Sequence, residues 1–183
     1  MFGPYVTARL SENLYGDARA AWGKSDNSIS PLGTFVDGFD TERMLFSGSL
    51  VGDLPVSDAA TLWPEVSLRY IREEVQGYTD SLGVPIPSQT VDQGELAFSP
   101  RADFTFDASE DWQLRPYAKV EGLLTFGSDA TYAVGNGLRG RLEGGADLLS
   151  RDGIRANLAG FYDGIGEDDY KAAGVSIGIS FRF

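Results

Sequence analysis

The chain contains no cysteine and no histidine. Without thiols it forms neither a disulfide nor a thiolate nucleophile, and without imidazole it has no Ser-His pair, no Cys-His pair and no His-metal site. Most hydrolase mechanisms are thereby removed, and no catalytic residue, cofactor or metal is expected. Cations are also scarce: 15 Lys and Arg stand against 27 Asp and Glu, a formal charge of −12. Phosphate neutralisation needs clustered Lys and Arg, so nucleic acid is not an expected partner. No apolar run approaches the ~18 residues of a membrane helix, and the mean hydropathy is −0.17. A helical membrane protein is excluded. A β-barrel is not, because each barrel strand shows only about ten residues of alternation and a polar lumen offsets the lipid face. The N-terminus shows no basic region and no apolar signal core, so a leader was removed or the chain begins inside a longer protein.

What is present is one ordinary domain's worth of chain, 183 residues with 42% apolar and 12% aromatic side chains. Its last stretch sets the pattern. Val175, Ile177, Ile179, Phe181 and Phe183 alternate with Gly174, Ser176, Gly178, Ser180 and Arg182, giving an extended segment one apolar and one small or polar face. Any half-buried edge strand would alternate in this way. The rest of the chain repeats the pattern.

Nine strands are expected, all antiparallel, in an all-β, up-and-down transmembrane β-barrel. The first runs from Gly3 to Leu10 and the second from Leu14 to Trp22, joined by a polar turn at Ser11 to Asn13. A polar stretch from Lys24 to Asp40 precedes a third strand with Met44, Phe46, Gly48 and Leu50 on one phase. Leu54 to Leu62 reads as a connection, and Pro64, Val66, Leu68 and Tyr70 begin a fourth strand that leaves the apolar layer past Ile71. The fifth carries Leu96, Phe98, Ala102, Phe104 and Phe106, with Pro100 as a local gap that lacks a ladder donor. The sixth runs from Trp112 to Phe126, the seventh from Leu138 to Leu148, the eighth from Ile154 to Tyr162, and the ninth closes the chain.

Connections of about 3, 9, 5 and 4 residues alternate with longer ones of about 17, 13, 10 and 8, as short periplasmic turns and long surface loops require. Aromatics gather near these ends, Trp63, Trp112, Phe106 and Phe183 at the short turns and Trp22, Tyr162 and Phe126 at the long loops, as two interfacial girdles would. The lumen is expected to be lined by Arg69, Arg101, Asp103, Arg115, Lys119, Glu121, Arg139, Arg141, Glu143, Asp147 and Arg155, with Arg9, Asp17, Arg19 and Arg182 in the same phase. Such a wall suits a water-filled pore or a linker helix, and it also bridges to itself.

Two further patterns carry less. Gly135, Gly137 and Gly140 spell a nucleotide fingerprint but precede a strand rather than a helix. Asp163, Glu167, Asp168 and Asp169 lack calcium-loop spacing and read as a solvated loop.

The order of "GPYVTARLSENLYGDARAAWGKSDNSISPLGTFVDGFDTERMLFSGSLVGDL", then "YTDSLGVPIPSQTV", then a Phe-terminated strand resembles the autotransporter β-domain, the translocator of type V secretion, over essentially the whole chain. The resemblance implies a twelve-stranded barrel in the Gram-negative outer membrane, exporting an N-terminal passenger through a linker helix. It also implies that Phe181 and Phe183 are an assembly signal for the barrel-assembly machinery. Nine strands put the first and last in the same direction, so the chain is expected to be an N-terminally truncated barrel domain over residues 1–183. A small structural or adhesive outer-membrane barrel and a soluble ligand-binding barrel are the alternatives.

Overall fold

The computed structural model describes residues 1–30, 33, 35–127 and 137–181. No helix occurs among them, and nine strand tracks follow one another in sequence order, each antiparallel to the next. They are β1 Tyr5–Ser11, β2 Leu14–Ile29, β3 Asp37–Gly52 continued by Leu54–Ser57, β4 Ala60–Trp63 continued by Glu65–Val75, and β5 Gln89–Phe98 continued by Arg101–Phe104 and Phe106–Asp107. Then come β6 Trp112–Gly127, β7 Gly137–Ser150, β8 Ile154–Ile165 and β9 Ala172–Phe181. The sheet is open among the described residues, with β1 paired to β2 alone and β9 to β8 alone.

The stretch Leu54 to Leu62 is not a loop. Val51 pairs with Glu65 and Leu54 with Leu62, so one register runs through the interruption and the turn is Asp58–Ala59. The same holds on the other side of β4, where Val66 faces Phe98 and Trp63 faces Arg101. The breaks at 64 in β4 and 99–100 in β5 each fall at a proline, which supplies no N–H to the ladder. The polar stretch after Lys24 is also mostly strand, since β2 and β3 stay paired as far as Ile29 and Asp37. Even so, the connections remain sorted by end. Glu12–Asn13, Asp58–Ala59, 108–111 and 151–153 are short, whereas 30–36, 76–88, 128–136 and 166–171 are longer.

Directly opposite residues share a sheet face, so the registers label every track. One face carries Trp22, Phe46, Val66, Phe98, Val120, Leu142, Leu158 and Ile177. The other carries the charges. Among the described residues every buried side chain, from Asp37, Thr41, Ala97 and Ser99 to Leu123, Thr125, Arg139 and Asp163, lies on the charged face, while Val175 and Ile177 on the apolar face are each 77% exposed. The sheet curls around its polar side.

Candidate functional site

The charged face is a wall of paired ions. Among the described residues, all Lys and Arg except Lys24, Arg72, Arg151 and Lys171 belong to it. Its most enclosed member is Arg139 on β7, held by three neighbouring strands. Its Nη1 donates to Thr125 on β6 at 2.8 Å, its Nη2 to Glu95 on β5 at 2.9 Å, and its Nε to Asp163 on β8 at 3.2 Å. Side-chain exposures of 10% for Arg139 and 6% for Asp163 mark a buried pair. The expected solvated loop therefore loses Asp163 to the strand and begins after Ile165, where β8 ends.

Below Arg139 the charges form a chain. Lys119 reaches Glu121 at 2.8 Å, Arg141 bridges Glu121 and Glu143 at 3.2 Å each, and Ser99 donates to Glu121 at 3.1 Å. Two rings are threaded into it. Tyr117 lies under the Arg101 guanidinium at 4.0 Å and donates its hydroxyl to Glu143 at 3.1 Å, and Phe161 lies under Arg141 at 4.3 Å. Cation–π contacts of this kind hold a ring as well as a charge. Each ring rests on a glycine of the next strand: a Cβ at Gly145 would stand 2.7 Å from Tyr117, and one at Gly174 would stand 2.6 Å from Phe161. Neither aromatic was expected on the wall, since their value lies in the cross-strand glycine rather than in the local pattern.

Nearer the short turns, Arg101 binds Asp103 at 2.6 Å, Arg155 binds Asp147 at 2.9 Å, and Arg115 donates to Gln113 at 2.7 Å. Arg69 stands across from Ser47 and Glu95. The sequence-predicted wall residues thus come together on one face, except that Arg182 lies outside the described residues.

The apolar face has sharp limits. Trp22 and Met44 end it on β2 and β3, and the next row outward is Lys24 and Glu42, which are hydrogen-bonded to each other. That bond, and the charge of Glu42 behind it, raises the Lys24 pKa above its ordinary value. On β9 the apolar run ends at Ala173, whose ladder row passes through Tyr162, Leu142 and Val120 and, across the proline gaps, down to Leu14 on β2. The limit therefore falls by about eight residues over seven ladder steps. At ~3.3 Å per residue and ~4.8 Å per strand this is a slope of about 40°, the tilt of barrel strands to a membrane normal. Leu14 to Trp22 then spans about 20 Å of depth, close to the apolar band of an outer-membrane barrel.

Of the expected girdle, Trp22 is on the apolar face, 52% exposed and edge-on to Phe2 at 5.8 Å. Phe126 is on that face too, covering Gly94 at the long-loop end, and Trp112 is at the opposite end across from Ser150. Trp63 is not. It pairs with Arg101 on the charged face and lines a cavity of about 310 Å³ with Asp103, Arg115 and Asp147, because Pro64 takes the apolar phase of β4. Phe181 is apolar-facing, 61% exposed and opposite Ile154. Phe183 and Gly135 lie outside the described residues, and those residues hold no group of three potential metal ligands.

The sequence pattern of the family described as "Autotransporter beta-domain" matches residues 1–159. Two relatives are similar over most of the chain. The "Uncharacterized protein YaiT" of Salmonella typhimurium is 26% identical over 146 residues, covering 78% of this chain and 15% of the relative. The "Putative uncharacterized protein YaiT" of Escherichia coli is 27% identical over 120 residues, covering 63% of this chain and 12% of the relative. The chain thus matches only a small part of each relative's length. With the slanted apolar band and the ion-lined concave face, the match over residues 1–159 settles the family: the chain belongs to the autotransporter β-domains, the outer-membrane β-barrel translocators of type V secretion in Gram-negative bacteria.

Proposed function

We propose that this chain forms most of the wall of an outer-membrane pore through which an N-terminal passenger of the same protein is exported, and that it is not an enzyme. The observation that carries the reading is the concave charged face centred on Arg139, enclosed by β5 to β8 and opposed by a wholly apolar outer face. A passing polypeptide presents unpaired backbone groups at every residue, and a wall of hydrated ion pairs gives them polar surroundings without a sticky apolar surface.

Closure follows from direction. β1 and β9 both run from the long-loop end to the short-turn end. A direct pairing would be parallel, against the antiparallel rule of bacterial barrels, so an odd number of further strands is needed. Three would give the twelve that the family resemblance implies. The aromatic C-terminus, Phe181 with Phe183, is the signal for the barrel-assembly machinery in this reading.

The experiment uses the full-length protein in cells, with single cysteines at Ser47 on the charged face and Leu142 on the apolar face. A water-soluble maleimide should label Ser47→Cys and not Leu142→Cys, and a passenger stalled by a fused, tightly folded domain should block the labelling. Labelling of Ser47→Cys that is indifferent to a stalled passenger would show that export does not use this lumen.

A further inference from the structure

The segment between β4 and β5 has a shape of its own. Tyr78–Thr79 pairs with Pro85–Ile86, and the turn between them is closed by Gly83 N–H donating to the Asp80 carbonyl at 2.9 Å, with Gly83 at φ 80°. The Asp80 carboxylate also accepts from the Leu82 and Val84 N–H groups at 3.0 and 2.8 Å. This small hairpin is then fixed to β3 at three points. The Gln76 N–H reaches the Asp40 carbonyl at 2.8 Å and continues the ladder for one more bond. The Tyr78 ring stacks on Phe39 with centroids 5.5 Å apart and planes 23° from parallel. Asp37, only 7% exposed, accepts from the Ser81 N–H at 2.7 Å and from its hydroxyl.

Asp37 and Phe39 share the phase of Thr41 and Arg43, which is the concave face. An arm anchored to them leans inward, over the opening, rather than outward over the membrane. It sits beyond the apolar limit set by Trp22 and Met44, at the long-loop end. A loop shaped only by solvent would have no reason to bury a carboxylate against a serine N–H, since an unpaired buried charge is costly and the pairing holds only while the arm is in place.

We propose that residues 76–88 form a fixed arm across the surface mouth of the pore, latched by Phe39–Tyr78 and Asp37–Ser81, and that this arm sets the size of solute that can enter from outside. The proposal rests on the charged face being the lumen. It goes beyond passenger export, because it assigns the arm to the pore when no polypeptide fills it.

The test is labelling of Ser47→Cys in the full-length protein on intact cells by water-soluble maleimides of increasing size. In the parent, small reagents label and large ones do not. Deleting residues 78–86, or the double change Tyr78→Ala with Asp37→Ala, should abolish that size limit. A disulfide between Asp37→Cys and Ser81→Cys should keep the parental limit, and loss of the limit with that disulfide closed would overturn the arm. Heat-modifiable gel migration identifies folded barrel in each case, and the double variant decides if the deletion fails to fold. A size limit unchanged in folded protein lacking the latch overturns the arm alone. Ser47→Cys that is inaccessible to the smallest reagent with and without the arm overturns the lumen reading and the arm together.

Discussion

Pro64 and Pro100 face each other across the β4–β5 ladder, the position fixed by Val66 opposite Phe98 on one side and Trp63 opposite Arg101 on the other. Their carbonyls are used outward, Pro64 by the Gly52 N–H at 2.8 Å and Pro100 by the Val120 N–H at 3.1 Å. Each proline therefore withholds the return bond, leaving the Gly52 and Val120 carbonyls short of a donor within the apolar band.

Replacing Pro100 with Ala should restore the bond to Val120. A net hydrogen bond contributes about 0.5–1.5 kcal/mol, and the loss of proline's restriction of the unfolded chain offsets about 0.4–1 kcal/mol of it. The expected change is a gain of up to about 1 kcal/mol. Urea unfolding of the refolded full-length barrel in detergent measures it, and a loss greater than the ~0.5 kcal/mol that the proline term alone can produce would mean that the strands need the gap.

Arg139→Ala leaves Asp163 and Glu95 facing each other without their shared cation. Removing one partner of a buried pair costs about 3–5 kcal/mol, so this should be the most damaging wall substitution, well beyond Arg155→Ala, whose partner Asp147 is bridged by a 57% exposed arginine side chain. Arg139→Met with Asp163→Leu should recover part of the loss. Unfolding midpoints of the three variants decide it, and equal midpoints for Arg139→Ala and Arg155→Ala would contradict the buried assignment.

Gly145→Ala places a methyl 2.6 Å from the Leu158 carbonyl and 2.7 Å from the Tyr117 ring. Backbone cannot yield cheaply, so overpacking of about 1–3 kcal/mol is expected. The ring must also tilt out from under Arg101. Near-ultraviolet circular dichroism should change in the tyrosine region along with the lowered stability.

Ile177→Arg, four residues inside the β9 limit at Ala173, should cost about 2–4 kcal/mol, and Leu142→Arg less because it stands nearer the long-loop limit. A fluorophore at position 142 should be quenched by lipid-borne quenchers, and an unquenched probe in bilayers would sink the lipid-facing assignment.

The strand order and both faces were legible because an apolar residue at every second position survives single-sequence reading, as in Val175 to Phe181 or Val120 to Phe126. Legibility failed wherever one of those conditions lapsed. Lys24–Ile29 and Asp37–Glu42 pair fully, yet above the apolar limit both their faces carry polar side chains, so there is no apolar alternation to read. Leu54 to Leu62 reads as a connection, though it pairs as strand on both sides of Asp58–Ala59, and that strand tolerates Pro55 as one missing donor. Trp63 was placed by its residue type when its parity against Pro64 already put it with Arg101. Arg139 could be assigned to the wall but not to its partners. Glu95, Thr125 and Asp163 come from three other strands, and only the register brings them within reach.

The slope of the apolar limit also restricts how such a chain can change in length. A strand that gains or loses one residue turns its remaining side chains to the wrong face, whereas a change of two keeps the faces and merely moves the limit by one rung, within what a flanking aromatic can absorb. Insertions and deletions in related chains should therefore be even within the tracks, with odd ones confined to the connections, 76–88 and 128–136 above all.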